Sequence, residues 1–253
     1  MTKARPSAAH DMEELAVHLA GWIESTTEGS GAVGALVGVS GGVDSAVVAA
    51  LCKRAFPHHS MALILPCESD EADIEDAHLV AHHFGIASCT IDLTPTFERF
   101  AEALHVSCAE LPADDRPTTA NVKPRLRMTT LYAFANHLDY RVVGTGNASE
   151  LAVGYFTKYG DGAVDLMPLG AVTKTTVREL ARHLEVPERI IHKPPSAGLW
   201  SGQTDEDDLG FTYEELDAYL AGRRGPHAAE IERRIETGRH KLEAVPVAPP
   251  LGE

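Results

Sequence analysis

The stretch Gly38-Val39-Ser40-Gly41-Gly42-Val43-Asp44-Ser45 constrains the fold most, because it joins an apolar run, Val33 to Val37, to a helix-compatible run, Ala46 to Phe56. It reads as a strand, a tight turn and a helix N-terminus. Gly41 and Gly42 carry no Cβ, so the backbone there can take positive φ and approach a ligand. Ser40 and Ser45 add hydroxyl donors beside the unpaired N–H groups of a helix start. That is an anion site suited to phosphate. Asp44 would repel a bare phosphate unless a divalent cation bridged the two, so the string reads as pyrophosphate plus Mg²⁺.

A glycine pair in a strand-to-helix turn serves packing as readily as binding, so the full string carries the argument. It lacks the Gly-Lys-Ser/Thr of the Walker loop and the Gly-x-Gly-x-x-Gly of dinucleotide folds. It resembles the Ser-Gly-Gly-x-Asp-Ser loop of the ATP pyrophosphatases, which split ATP between its α and β phosphates. That group includes synthetases for NAD, GMP, asparagine and argininosuccinate, and the loop alone does not choose among them.

With 253 residues the chain can bury a core on both faces of a sheet. A formal charge of −15 argues against general nucleic-acid or membrane-surface binding, so an anionic substrate needs a local basic pocket. The four cysteines, Cys52, Cys67, Cys89 and Cys108, show neither CxxC nor zinc-ligand spacing. Reduced thiols in a cytoplasmic protein are expected. No apolar stretch approaches the roughly 20 residues of a membrane span, and the N-terminus lacks a signal peptide's apolar core. His58-His59 and His82-His83 read as surface residues.

Along the chain, Leu15, Leu19, Trp22 and Ile23 place an amphipathic helix before the first strand. Met61 to Leu65 and Ala87 to Leu93 read as further strands, and the acidic run from Glu68 to Asp73 as a solvated helix start. Residues 106–119 read as a mobile surface loop. Tyr140 to Gly144 is a fourth strand, ending in Thr145 to Glu150. Strands alternating with helices predict a parallel, doubly wound α/β sheet, whose ligands collect beyond the carboxyl ends of the strands. If the first and fourth strands are neighbours, Glu150 joins Asp44 around Mg²⁺ and Thr145 reaches the nucleotide; Asn147 or Ser149 serving only as a helix cap explains that segment equally well. Lys174 precedes a helix, where a cation is unfavourable unless an anion sits there too. Pro187 to Ile191 reads as a rigid turn and Gln203 to Asp208 as a loop. Phe211 to Leu220 and Ala228 to Leu242 read as amphipathic helices. A single domain spanning 1–253 is expected, with flexible tails at 1–10 and 246–253.

The segments Gly144-Thr145-Gly146-Asn147-x-Ser149-Glu150, Gly154-Tyr155-Phe156-Thr157-Lys158-Tyr159-Gly160-Asp161-Gly162, Lys193 to Trp200 and Gly202-Gln203-Thr204-Asp205-Glu206 resemble, in order and spacing, the ammonia-dependent NAD synthetases. The resemblance implies a Rossmann-like three-layer fold of the adenine nucleotide α-hydrolase type. It implies a homodimer that joins ATP, Mg²⁺, ammonia and nicotinic acid adenine dinucleotide (deamido-NAD) to give NAD, AMP and pyrophosphate. Residue by residue, it assigns Gly38 to Ser45, Thr145, Lys174 and Ser196 to ATP, with Asp44 and Lys174 in the chemistry. It assigns Asp44 and Glu150 to Mg²⁺, and Arg125, Lys158, Asp165 and the His240-Lys241 pair to deamido-NAD. Ala148 stands where relatives often have lysine, and Leu242 where they often have arginine.

A carboxylate does not condense with ammonia at neutral pH, so activation as an acyl adenylate is expected, without a protein nucleophile. Residues 110–118 and 196–208 are expected to order over the nucleotide and keep water out. Free ammonia is the direct nitrogen source, a separate glutaminase the alternative. Two rival readings are another amide-forming ATP pyrophosphatase with a different carboxylate substrate and a non-catalytic nucleotide sensor.

Overall fold

The computed structural model describes residues 8–107, 119–200 and 202–251. Four parallel strands, β1 (Gly34–Gly38), β2 (Ser60–Ile64), β3 (Ala87–Thr90) and β4 (Tyr140–Val143), lie in the order β3-β2-β1-β4. Both neighbours of β1 are parallel, and Val37 faces Ala62 on one side and Val143 on the other. The chain therefore leaves β1 and β4 side by side, at the same edge of the sheet. Leu166 extends the β4 edge through a bridge to Val143.

Strand alternation sends successive side chains to opposite faces, and both faces are covered. Ala35, Val37, Ala62, Ile64 and Val143 belong to one core, and Leu36, Leu63 and Val142 to the other. The first core is closed by α1 (Ala8–Gly29), α2 (Val43–Ala55), α3 (Glu71–His83) and α7 (Lys174–His183), the second by α4 (Thr94–Ser107) and α5 (Val122–Leu138). Every residue from Ala46 to Cys52 is buried, because α1 and α7 both pack on α2. An Ala/Val helix with no polar stripe is what such a central position requires. After β4 come α6 (Ala148–Val153), α7, α8 (Glu188–Ile191), α9 (Asp205–Leu209), α10 (Tyr213–Leu220) and α11 (Ala228–Gly238). A satellite core of Val153, Leu209, Phe211, Tyr213, Leu216 and Ile231 ties the last three helices to α6.

Several local expectations need correction. Trp22 is partly exposed, and Ala16, Leu19, Ala20 and Ile23 make the packed face of α1. The acidic start of α3 is not simply solvated: Asp73 bonds Lys193, Asp76 bonds both Lys193 and Arg189, and Glu68 pairs with Lys123, because the fold brings those cations over it. Gln203 to Asp208 is not all loop, since Thr204 accepts from the Asp207 N–H and starts α9, which Gly210 ends in the left-handed region. Pro187 to Ile191 contains the short helix α8. The last helix stops at Gly238 and gives way to a 3₁₀ turn, Arg239–Lys241. Residues 108–118, most of the expected mobile loop, lie outside the described residues.

The glycine at position 238 has a steric cause. A Cβ there would lie 2.7 Å from the Val153 carbonyl oxygen and 2.9 Å from the Gly154 Cα, while Gly154 itself has φ +65° at the end of α6. Two glycines thus allow α6 and α11 to touch backbone to backbone, which sets the Lys241 turn against Gly154 and Phe156. Gly238→Ala should lower unfolding free energy by about 1–3 kcal/mol, read as a lower urea midpoint at unchanged slope.

Candidate active site

The loop after β1 is fastened to its own helix. The Ser45 hydroxyl donates to the Gly42 carbonyl at 2.9 Å and accepts from the Ser40 N–H at 3.2 Å. Gly41 has φ +82°, and a Cβ there would meet the Asp73 carbonyl oxygen at 2.5 Å, so its role is close packing against α3. Gly42, the residue before α2, offers no side-chain cap, which leaves the first helical N–H groups for a ligand. The other seven residues of Gly38 to Ser45 line a cavity of about 550 Å³, within the usual size of a small-molecule site.

The loop after β4 supplies the opposing wall. Asn147 caps α6 by accepting from the Glu150 N–H at 3.0 Å, and Glu150 returns the bond to the Asn147 N–H at 3.2 Å. The same Asn147 amide donates to Asp44 Oδ1 at 2.9 Å. Capping and site-building, alternatives at the level of sequence, are therefore one arrangement. Lys174 at the start of α7 places its ammonium 2.5 Å from Asp44 Oδ2 and 3.2 Å from Glu150 Oε1, with only 2% of the side chain exposed. The two carboxylates are the anions that a lysine at a helix N-terminus calls for. The N–H groups of Lys174 and Thr175 are satisfied by Ser149 Oγ and Asp217 Oδ2, both at 2.9 Å.

Burial raises the Glu150 carboxyl to about 7, against the pull of Lys174. Burial also disfavours the charge on Lys174, but Asp44 and Glu150 outweigh it and raise its pKa. Tyr213 closes the floor: its hydroxyl donates to Asp205 Oδ2 at 2.9 Å, and Lys174 Nζ lies 4.9 Å from its ring centre. Asp205 lines the cavity, is buried, and keeps Oδ1 without a partner among the described residues. Burial raises its pKa.

The remaining expected residues divide. Thr145, Ser196 and Lys241 line the cavity with Asp44, Glu150 and Lys174. Arg125, Lys158 and His240 do not; they form a chain, exposed at Arg125 and His240 and half-buried at Lys158, in which Arg125 donates to the Lys158 carbonyl at 3.2 Å and Lys158 Nζ to the His240 carbonyl at 2.6 Å. Asp165 sits at the sheet edge, accepting from the Val142 N–H at 2.8 Å and the Tyr132 hydroxyl at 3.1 Å. Sequence reasoning passed over Arg127, Asp161 and Asp205, all of which line the cavity. Asp161 and Asp205 stand inside the family-like segments, and Arg127 only two residues from Arg125. The segment after Ser196 is already tethered: Lys123 Nζ donates to the Leu199 carbonyl at 2.8 Å and the Asp205 N–H to the Pro195 carbonyl at 2.9 Å. Residues 110–118 lie outside the described residues.

Asp44 and Glu150 offer hard oxygen ligands, which suit Mg²⁺ shared with phosphates and water. Among the described residues no group of three or more His, Cys, Asp or Glu is arranged to hold a metal, so the remaining ligands would come from a nucleotide. The donor set fits Mg²⁺ on that condition, with Lys174 as the cation that holds the pair together in its place. Cys52 and Cys67 are buried thiols, and burial raises the pKa of both, so neither offers a thiolate.

The sequence profile of the NAD synthase family matches residues 15–247. This chain belongs to that family. An NH₃-dependent NAD⁺ synthetase of Carboxydothermus hydrogenoformans is 46% identical to it, over 94% of this chain and 98% of the relative. Among solved structures, an NMN synthetase from Francisella tularensis superposes with a TM-score of 0.88 and 37% identity, covering 94% of this chain and 98% of that one. An NH₃-dependent NAD synthetase from Campylobacter jejuni, solved with a nitrate ion, superposes with a TM-score of 0.77 and 26% identity, covering 94% and 99%. The α/β fold of the NAD synthases is thus the fold of this chain. No helix among the described residues is long and apolar enough to cross a membrane.

In this NAD synthase the raised Glu150 pKa gives stability a pH dependence. The folded chain keeps a proton on Glu150 up to about pH 7, whereas the carboxyl's reference value is 4.5. Between those values the folded state binds more protons, so this contribution is complete below about pH 4.5 and is lost as pH rises through about 7. It amounts to about 3 kcal/mol at most. Glu150→Gln should flatten this part of the curve, measured by urea unfolding of the ligand-free protein at steps from pH 5 to 8.

Proposed function

We infer that this chain is a carbon–nitrogen ligase that uses ATP and ammonia to convert the nicotinate carboxylate of deamido-NAD into the amide of NAD. The observation that carries the reading is the meeting of a phosphate-type loop, two carboxylates and one buried lysine in a single cavity at the carboxyl edge of β1 and β4. Membership of the family supports the reaction.

The steps follow from the chemistry of a carboxylate. Its oxygen attacks the α-phosphorus of ATP, forming an acyl–phosphate bond as the bond to the β-phosphate oxygen breaks and pyrophosphate leaves. Ammonia then attacks the acyl carbon, AMP departs with the transferred oxygen, and one proton is released with the amide. The Gly38 to Ser45 amides would hold the triphosphate, with Thr145 and Ser196 beside it, and Lys174 would offset the charge growing on pyrophosphate. Asp44 and Glu150 would hold Mg²⁺, whose contribution when bound is to neutralise phosphate oxygens. Arg125, Lys158, His240 and Lys241 would meet the acid nucleotide, with Asp165 shaping the adjoining edge. The chain would act as one domain within a homodimer, taking free ammonia or ammonia passed from a separate glutaminase.

A second reading has a specific observation behind it. The NMN synthetase structure matches this chain more closely, by TM-score and by identity, than the Campylobacter jejuni NAD synthetase does. The amidated group is chemically the same, so nicotinic acid mononucleotide is the competing substrate. Of the residues assigned to the dinucleotide, Arg125, Lys158 and His240 stand outside the cavity and Lys241 inside it. A mononucleotide needs only the inner set.

Incubation of the purified chain with ATP, Mg²⁺, ammonium and either acid nucleotide decides between these readings. Deamido-NAD should give NAD, AMP and pyrophosphate with the higher kcat/KM, and ¹⁸O in the substrate carboxylate should appear in AMP. A higher kcat/KM with the mononucleotide selects the second reading; ADP as product, or no amide from either, refutes both. Lys174→Met should lower kcat by about 10²-fold or more. Circular dichroism of that variant checks that the fold survives.

A further inference from the structure

Among the described residues, five cationic side chains line the cavity: Arg127, Lys174, Lys193, Arg234 and Lys241. Lys174 is held by Asp44 and Glu150, Lys193 by Asp73 and Asp76, and Arg234 by Glu230. Among the described residues no carboxylate lies within ion-pair distance of Arg127 or Lys241. Lys241 donates to the carbonyls of Gly154 and Phe156 at 2.7 and 2.8 Å and already has an assigned role at the nucleotide. Arg127 has none.

Arg127 lies in the second turn of α5, two residues from Arg125 and on a different face, which explains why one arginine is exposed and the other enters the cavity. Its Nε donates to the Leu65 carbonyl at 3.0 Å, just beyond β2, and its Nη2 to the Ser69 hydroxyl at 3.2 Å. Both acceptors are neutral. A guanidinium has five N–H donors and stays charged in proteins, so these two bonds leave Nη1 and one hydrogen of Nη2 for another partner. Burial lowers the pKa of Arg127, and the nearest carboxylates acting on it, Asp161 and Asp73, do so only through space. A half-buried guanidinium met, among the described residues, only by neutral hydrogen-bond acceptors still calls for an anion. In a chain of net charge −15 it is an unusual group to leave uncompensated.

We propose that Arg127 is a substrate-binding residue whose Nη1/Nη2 fork receives an oxyanion of the reacting pair, either the carboxylate of the acid nucleotide or the α-phosphate of ATP. The choice of those two anions rests on the ligase reading above. A planar fork suits both, because it can donate two parallel hydrogen bonds to a carboxylate or phosphate. Lysine at the same position keeps the charge and loses the fork.

Equilibrium titration of the full chain and of Arg127→Met and Arg127→Lys with ATP alone, deamido-NAD alone and nicotinic acid mononucleotide alone tests this without turnover. Arg127→Met should lose at least tenfold in affinity for one class of ligand and stay within twofold for the other, and Arg127→Lys should recover part of the loss. Loss with ATP identifies the phosphate, and loss with the acid nucleotides identifies the carboxylate. Steady-state KM should rise for the same ligand. If Arg127→Met does not fold, Arg127→Lys alone decides, with at least a threefold loss for one ligand expected. Affinities within twofold for every ligand, or a parent chain that binds none of them, overturn the proposal. A parent that binds in an Arg127-dependent way yet forms no amide refutes the ligase reading and leaves the anion role standing.

Discussion

One buried ammonium, Lys174, holds together two carboxylates that come from the first turns of helices more than a hundred residues apart in sequence. Neither carboxylate would as readily stay ionised there alone. Desolvating a charge costs several kcal/mol, and two like charges in one site add repulsion. The lysine offsets both, and it is itself held by the Tyr213 ring and by the start of α7. Its position presupposes the parallel pairing of β1 with β4, since only that register brings Asp44 and Glu150 to one edge. Sheet order and site are thus a single constraint.

That dependence explains the layout of the C-terminal third of the chain. α10 carries Tyr213, which meets Asp205, and Asp217, which receives the Thr175 N–H and the Ser149 hydroxyl. The satellite core of Phe211, Leu216 and Ile231 therefore does more than finish the fold. It fixes the groups that keep Lys174, Ser149 and Glu150 in register. The backbone contact between Gly154 and Gly238 then brings the Lys241 turn to the cavity rim.

The strands and the phosphate loop were legible in the sequence because each is local. Val33 to Val37 followed by Gly38 to Ser45 names a strand, a turn and a helix start within a dozen residues, and the observed strand is displaced by only one. The parallel, doubly wound sheet followed from the alternation of strands with helices, whereas the pairing of β1 with β4 stood only as a condition. The features that were not legible depend on contacts distant in sequence. Nothing near Asp73 or Asp76 announces Lys193 and Arg189, and a run such as Gln203 to Asp208 looks like a solvated loop until Tyr213 and Pro195 are placed against it. Arg125 and Arg127 are equivalent as letters. Only the docking of α5 on the sheet sends one to the surface and the other to the Leu65 carbonyl.

The charge distribution poses a problem that the cavity resolves. A protein of net charge −15 that takes up two polyanionic nucleotides must present positive charge locally, yet among the described residues three of the five cations lining the cavity are already paired with carboxylates. Such pairs keep the empty site from repelling itself and give phosphate oxygens a partner that is already oriented, at the cost of competition with the resident carboxylate. Cations held only by neutral acceptors face no such competition. Arg127 and Lys241 therefore offer anions the least contested positive charge among the described residues of the cavity, and Lys174, held by both Asp44 and Glu150, a more contested one. Division of labour between paired and unpaired cations would let a single acidic chain bind its substrates without binding their products too tightly.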